Sequence, residues 1–115
     1  MPHASLCRLI LRVRDPVALS DWYRLAFGWP IAVDERAEQW IELDAGGGFV
    51  LALHGGSQGR AQHWPKIQVH VSDVTTERAS LIAKGVAKGE VQTWKHLAWS
   101  EGEDPEGNVF QITNR

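Results

Sequence analysis

The chain has 115 residues, of which 43% are hydrophobic and 23% charged, and its formal net charge at pH 7 is −2. This length predicts a single domain, and the balanced charge without a basic run excludes the surface expected of a nucleic-acid-binding protein. The lone cysteine, Cys7, excludes an intrachain disulfide framework and favours a cytoplasmic location. No stretch approaches the ~20 apolar residues of a membrane span or forms a signal peptide, so no membrane partner is expected.

The first predicted element is a strand at "SLCRLILRV", where apolar and polar residues alternate. Its apolar face carries Leu9, Leu11 and Val13, and its other face carries Arg8, Ile10 and Arg12. Cys7 shares the apolar face, which predicts a structural thiol rather than a nucleophile.

A helix follows this strand. Asp15 suits the N-cap, Pro16 the first helical position and Gly28 the C-cap. The apolar stripe of the helix is predicted from residues at helical spacing: Leu19, Trp22, Tyr23, Ala26 and Phe27. Trp22 and the following Trp29 are therefore expected to pack in the core.

Three strands and a linker complete the first half. The segments "PIAVDE", "EQWIEL" and "GFVLALH" are separated by charged or Gly-rich turns, which is typical of a strand meander. The next stretch, "GGSQGRAQHWP", has no periodicity and is rich in Gly and polar residues. Residues 56–64 are therefore predicted to be a linker.

The same order of elements then begins again. "KIQVHVSD" predicts a strand with Ile67, Val69 and Val71 on one face and Lys66, Gln68 and His70 on the other. Asp73 and Gly85 bound a predicted helix whose shared face carries Ala79, Ile82 and Ala83. Three short strands follow, at "KGEVQTW", "HLAWSEG" and "NVFQIT".

This repetition predicts an internal duplication, with repeats at 1–55 and 65–115 within one domain, 1–115. Each repeat has the order βαβββ, so the fold class is α+β. One helix covers only one face of each sheet, and the other face needs a partner. We therefore expect the two units to form a curved mixed sheet, a half-barrel around a central cavity.

The stretches "RVRDPVALSDWYRLAFGW", "VHVSDV" with "LIAKGV", and "DPEGN" resemble the vicinal oxygen chelate superfamily. This superfamily includes glyoxalases, bleomycin-resistance proteins and extradiol dioxygenases, and the resemblance covers essentially the whole chain. It implies the half-barrel fold and a homodimer. The "DPEGN" turn also has a physical rationale, because Pro105 fixes φ while Gly107 and Asn108 tolerate positive φ.

The resemblance implies a divalent metal held by His or Glu on the first and last strands of each unit. In this sequence the corresponding positions are Arg8, Ala52, Lys66 and Gln111. Two cations, an alanine and one amide are a poor donor set for Zn²⁺, Ni²⁺ or Fe²⁺. The expectation is therefore no metal and no cofactor, with Gln111 as an uncharged, partly buried wall residue.

An alternative remains open for two histidines. His54 shares a face with Ala52 and His70 shares one with Lys66, so the pair could rebuild a metal site with a glutamate or supply a catalytic general base. The other interpretation is an ordinary hydrogen-bonded pair of histidines.

The predicted cavity lining indicates a ligand class. Arg8, Arg12, Lys66, His54 and His70 would make a cationic surface suited to an anionic or carbonyl-rich aromatic ligand. The alternative is that these cations pair with Glu42, Glu101 or Glu103. Of the six tryptophans, Trp40, Trp64, Trp94 and Trp99 are placed to wall a flat ligand, especially within "TWKHLAW".

Two functions remain open on this basis. The first is a metal-independent small-molecule-binding protein of the glyoxalase/bleomycin-resistance type. The second is a lyase, isomerase or dioxygenase-like enzyme of the same fold, acting through a rebuilt metal site or a histidine base.

Overall fold

Two compact units, Met1–Arg60 and Ala61–Arg115, make up the chain. The computed structural model describes residues 8–56, 66–86 and 88–114. The predictions for Cys7, for Trp64 and for all but the first residue of the linker at 56–64 lie outside these residues.

Within residues 8–56, unit 1 contains one α-helix and a four-stranded sheet. The sheet order is β1-β4-β3-β2, with β1 parallel to β4 and the other pairs antiparallel. The elements are β1 (Arg8–Arg12), α1 (Pro16–Phe27), β2 (Ile31–Glu35), a 3-10 turn (Arg36–Glu38), β3 (Trp40–Asp44) and β4 (Val50–His54).

Unit 2 repeats this topology. Its sheet order is β5-β8-β7-β6, again with a single parallel pair, β5 with β8. The elements are β5 (Ile67–His70), α2 (Val74–Ala83), β6 (Gln92–Trp94), β7 (Leu97–Glu103) and β8 (Val109–Thr113). The α+β class and the two βαβββ units are thus confirmed, and neither sheet closes into a barrel. Neither α1 nor α2 has the length and apolar character needed to traverse a bilayer.

Both helices begin where the sequence predicts. Asp15 accepts a hydrogen bond from the Ala18 backbone N–H at 3.0 Å, and Asp73 accepts one from Thr76 at 3.1 Å. Each carboxylate satisfies a backbone donor that the first turn of a helix leaves unpaired. Gly28 ends α1 in the left-handed conformation, with φ at 73°, which glycine adopts without steric cost.

An aromatic cluster anchors α1 in unit 1. Tyr23 is fully buried and stacks on Trp29 with ring centroids 5.6 Å apart. Phe27 stacks on Trp29 at 4.9 Å, and Trp22 meets Tyr23 edge-on at 4.9 Å. Stacked and edge-on geometries are the favourable ones for aromatic pairs. Trp22 and Trp29 thus pack against the buried Tyr23, but both are half-buried at the edge of the core and not inside it as expected.

The predicted packing face of α2 is wrong. Leu81 is fully buried and Val74 is 4% exposed, whereas Ile82 is 45% exposed. Ala79 and Ala83 are exposed as well. Burial free energy scales with apolar area, so the small alanines could not decide which face of α2 meets the sheet.

The "DPEGN" turn is built around Asp104, which is 4% exposed. Its Oδ1 accepts hydrogen bonds from the backbone N–H groups of Glu106 and Asn108, both at 2.9 Å. Its Oδ2 accepts one from the Asn108 side-chain amide at 2.7 Å. Gly107 adopts the predicted positive φ, at 83°. The turn sets the direction in which β8 begins.

Lys88 lies against the core of unit 2. Its Nζ donates to the Ser100 carbonyl at 2.8 Å and sits 4.2 Å from the centroid of the Phe110 ring. Burial lowers the pKa of Lys88 to about 8, although the nearby Glu101 opposes this effect. Holding the protonated amine in the folded state therefore lowers the free energy of unfolding, and this effect is complete below about pH 8. The effect falls as the pH rises from there toward 10.5, the ordinary lysine value.

We expect the Lys88 amine to titrate with a midpoint near pH 8. The measurement is a pH titration of ¹³C-methylated lysines by NMR, with the Lys88 signal assigned by its absence in Lys88→Arg. A midpoint at the ordinary lysine value would contradict the burial of this amine.

Candidate ligand-binding site

The helix of each unit covers one face of its sheet, and we call the opposite face the open face. In unit 2 the strand register places Gln111 of β8 directly between Gln68 of β5 and Glu101 of β7. Residues paired in register project to the same side of a sheet. A row of polar side chains therefore crosses the open face of unit 2.

These side chains form a continuous hydrogen-bonded chain, which we call the amide chain: Lys66, Glu101, Gln111 and Gln68. Lys66 Nζ donates to Glu101 Oε2 at 2.5 Å, and Gln111 Nε2 donates to the same oxygen at 3.1 Å. Gln68 Nε2 donates to Gln111 Oε1 at 2.7 Å. The side-chain N–H of Gln111 and its carbonyl oxygen are thus both hydrogen bonded.

Position 111 therefore needs a group that both donates and accepts. Gln111 is only 9% exposed, so its polar atoms need protein partners. An ionised glutamate in its place could accept from Gln68 but could not donate to Glu101. This explains why an uncharged amide stands there.

Glu101 is held as a carboxylate. The hydrogen bond from Lys66 is the largest cause that lowers its pKa below the ordinary 4.5, and Gln111 adds to this effect, while burial opposes it. Glu101 is therefore ionised at neutral pH. Its side chain is 39% exposed, so the ion pair with Lys66 adds little to stability.

A pocket of about 250 Å³ lies on the open face of unit 2. Two tryptophans and a leucine supply its apolar surface, and two amides and a hydroxyl supply its polar surface. The lining residues are Gln68, Trp94, Leu97, Trp99, Gln111 and Thr113. Trp94 is 61% exposed, and the Nζ of Lys95 lies over its ring, 4.6 Å from the centroid.

Sequence analysis places Trp94, Trp99 and Gln111 at the site but misses Gln68, Leu97 and Thr113. Alternation held the missing information, since Gln68 shares a face with Lys66, Leu97 with Trp99, and Thr113 with Gln111. These three residues were not predicted as site residues because each is uncharged and of a common type.

The open face of unit 1 carries a second polar group, centred on Glu42. One carboxylate oxygen is 3.4 Å from Arg8 Nε, and the other accepts from Trp40 Nε1 at 2.8 Å. The ring of His54 meets Trp40 edge-on at 5.5 Å. Ala52 lies opposite Glu42 in the register and is fully buried. Three predicted site residues, Arg8, Trp40 and His54, are thus grouped around one glutamate.

The cations predicted to line the cavity have specific locations. Arg8 pairs with Glu42 and Lys66 pairs with Glu101, so for these two the geometry is the glutamate-paired alternative. Arg12 of β1 is exposed and lies opposite His54 of β4. His70 is exposed beside Thr113 at the end of β5. His54 and His70 belong to different units.

The four residues predicted from the resemblance to stand at metal-ligand positions are a poor donor set for a divalent metal. Arg8 and Lys66 are cations that already contact glutamates, and Ala52 has no donor atom. The Gln111 carbonyl oxygen accepts from Gln68. Within residues 8–56, 66–86 and 88–114, no three His, Cys, Asp or Glu side chains are grouped so that they could hold a metal ion.

Comparison with protein families gives one match of nearly full length. A family model described as a glyoxalase-like domain matches residues 8–113. No curated protein matches the sequence significantly.

Solved structures share the fold at low sequence identity. Lactoylglutathione lyase from Agrobacterium tumefaciens has a TM-score of 0.79 and 17% identity, covering 97% of this chain and 94% of its own. TioX from Micromonospora sp. ML1 has a TM-score of 0.78 and 22% identity, covering 96% and 98%. TnmS3, an antibiotic binding protein from Streptomyces sp. CB03234, has a TM-score of 0.78 and 20% identity, covering 97% and 96%.

Proposed function

Because the chain belongs to the glyoxalase-like domain family, we propose that it binds a small aromatic molecule in the unit 2 pocket without a bound metal. The observation that carries this proposal is the pocket itself, which is lined by Trp94 and Trp99 together with the amides of Gln68 and Gln111. Mostly apolar walls with a few placed polar groups are typical of small-molecule sites. The fold is shared with a protein named for antibiotic binding, TnmS3, which supports the same class of function.

Metal independence is supported by the donor set. At the family's metal positions the cations are engaged by glutamates and Gln111 is engaged at both ends. A metal would have to displace these contacts and would gain only one weak amide ligand. Ligand binding is therefore expected to depend on the pocket's own side chains.

The ligand is proposed to be uncharged. Lys66 is paired with Glu101 and Arg8 with Glu42, which takes two of the cations out of the predicted cationic surface. The polar groups that line the pocket, Gln68, Gln111 and Thr113, carry no charge. Amides and hydroxyls bond well to carbonyl and hydroxyl oxygens. Of the two expected ligand classes, the structure thus supports the carbonyl-rich aromatic over the anionic one.

Trp99→Ala is expected to weaken ligand binding about 10- to 100-fold, the cost of losing one aromatic stacking surface. The assay titrates wild type and variant with hydroxy- and oxo-substituted naphthalenes and follows the indole N–H resonances by NMR. Trp22→Phe removes a tryptophan from α1 outside the pocket and serves as the matched control.

Two results would count against the proposed function. Equal affinity in wild type and Trp99→Ala would place the ligand elsewhere. Conversion of a bound compound to product, abolished by His70→Ala, would assign the chain to the enzyme alternative instead.

A further inference from the structure

The amide chain has a single direction, and Glu101 sets it. A carboxylate can only accept hydrogen bonds, so the end of Gln111 that faces Glu101 must be its N–H. The Gln111 carbonyl oxygen then faces Gln68, and Gln68 must meet it with its own N–H. The observed bonds, Gln111 Nε2 to Glu101 at 3.1 Å and Gln68 Nε2 to Gln111 Oε1 at 2.7 Å, follow this order.

The amide chain ends at the carbonyl oxygen of Gln68, and Gln68 lines the pocket. Among the residues that the structure describes, none donates a hydrogen bond to this oxygen. Hydrogen bonds arranged head to tail polarise one another, so an amide that donates becomes a better acceptor at its oxygen. The chain therefore presents the pocket with a strengthened acceptor.

We propose that Glu101 is a positioning residue that sets ligand specificity, and that the ligand offers a hydrogen-bond donor, such as an aromatic hydroxyl, to the Gln68 carbonyl oxygen. This inference rests on the proposed function, and it adds a donor to the ligand's chemistry. Glu101 is not among the residues that line the pocket, so its effect reaches the ligand through Gln111 and Gln68.

Glu101→Met is the decisive substitution. Lys66 and Gln111 Nε2 donate to the same oxygen, Glu101 Oε2, so a glutamine at position 101 could still accept both bonds through its carbonyl oxygen. Methionine offers no comparable acceptor, so nothing at position 101 fixes which end of the Gln111 amide faces Gln68. Gln68 is then no longer held with its carbonyl oxygen toward the pocket.

The test compares two probes, 2-naphthol and 2-methoxynaphthalene, which share an aromatic body while only the first can donate. Affinities are measured from the indole N–H resonances of Trp94 and Trp99. The affinity ratio of 2-naphthol to 2-methoxynaphthalene is then divided by the same ratio measured in Gln68→Met. This corrected preference cancels the difference in hydrophobicity between the two probes. In wild type the corrected preference for 2-naphthol is expected to be about three- to tenfold, the worth of one hydrogen bond.

In Glu101→Met the preference for 2-naphthol is expected to disappear. Glu103→Met makes the same change on the same face of β7 and should keep the wild-type preference. A merely structural role of Glu101 would weaken both probes equally and leave their ratio unchanged.

The outcomes separate the two proposals. If both probes bind but wild type shows no corrected preference, or if Glu101→Met retains it, the inference is overturned while the proposed function stands. If neither probe moves the Trp94 and Trp99 resonances of wild type, the proposed function fails and the inference fails with it.

Discussion

Gln111→Glu is expected to lower the free energy of unfolding at pH 7 by about 2 to 3 kcal/mol. The new carboxylate would lie beside Glu101, whose Oε2 now accepts from Gln111 Nε2 at 3.1 Å, at a position only 9% exposed. Two adjacent carboxylates repel each other and share a proton, so the pKa of one of them rises. A group whose pKa is raised in the folded state contributes stability that is lost as the pH rises through that pKa.

The deficit of the variant relative to wild type should therefore shrink as the pH falls toward the ordinary glutamate range. Urea unfolding at pH 7 and at pH 5 measures this difference. Gln92→Glu makes the same change on the exposed strand β6 and should cost less than about 0.5 kcal/mol. An equally stable Gln111→Glu protein would mean that the amide does not bridge Glu101 and Gln68.

Asp104→Ala is expected to destabilise the protein by about 3 kcal/mol, because charge-assisted hydrogen bonds contribute about 1.5 to 3 kcal/mol each and several are lost together. Asp104 is 4% exposed and accepts from two backbone N–H groups and from the Asn108 side chain. Without the carboxylate, these buried donors lose their partner. Thermal or urea unfolding measures the effect.

Asp44→Ala is the matched control for the turn. Asp44 is exposed and accepts one backbone hydrogen bond, from Gly46 at 2.9 Å, so its loss should cost under about 1 kcal/mol. Similar costs for the two substitutions would show that the Asp104 turn is not the main support of β8.

Local chemistry allowed much of the fold to be predicted from the sequence. Asp15, Asp73 and Gly28 act through groups within a few residues of themselves, so their roles can be read without knowing the tertiary structure. Strand faces also follow from alternation alone, which is why Lys66 and Gln68 could be separated from Ile67 and Val69. The face of α2 could not be predicted this way, because the buried Leu81 and the exposed Ile82 are adjacent and equally apolar.

The amide chain could not be derived from sequence. Lys66 and Glu101 are paired across β5, β8 and β7, and their contact depends on the strand order and register of unit 2. A pattern of alternation gives the face of each residue but not its neighbour across the sheet. For the same reason the cations predicted as a ligand surface could not be matched in advance to Glu42 and Glu101.

The most direct test of metal-independent binding in the unit 2 pocket is a titration of wild-type protein with 2-naphthol, with and without excess EDTA. The indole N–H resonances of Trp94 and Trp99 report binding at the pocket. We predict saturable shifts of these two resonances with the same Kd in both conditions. Loss of binding in EDTA, or saturable shifts confined to other tryptophans, would contradict the account.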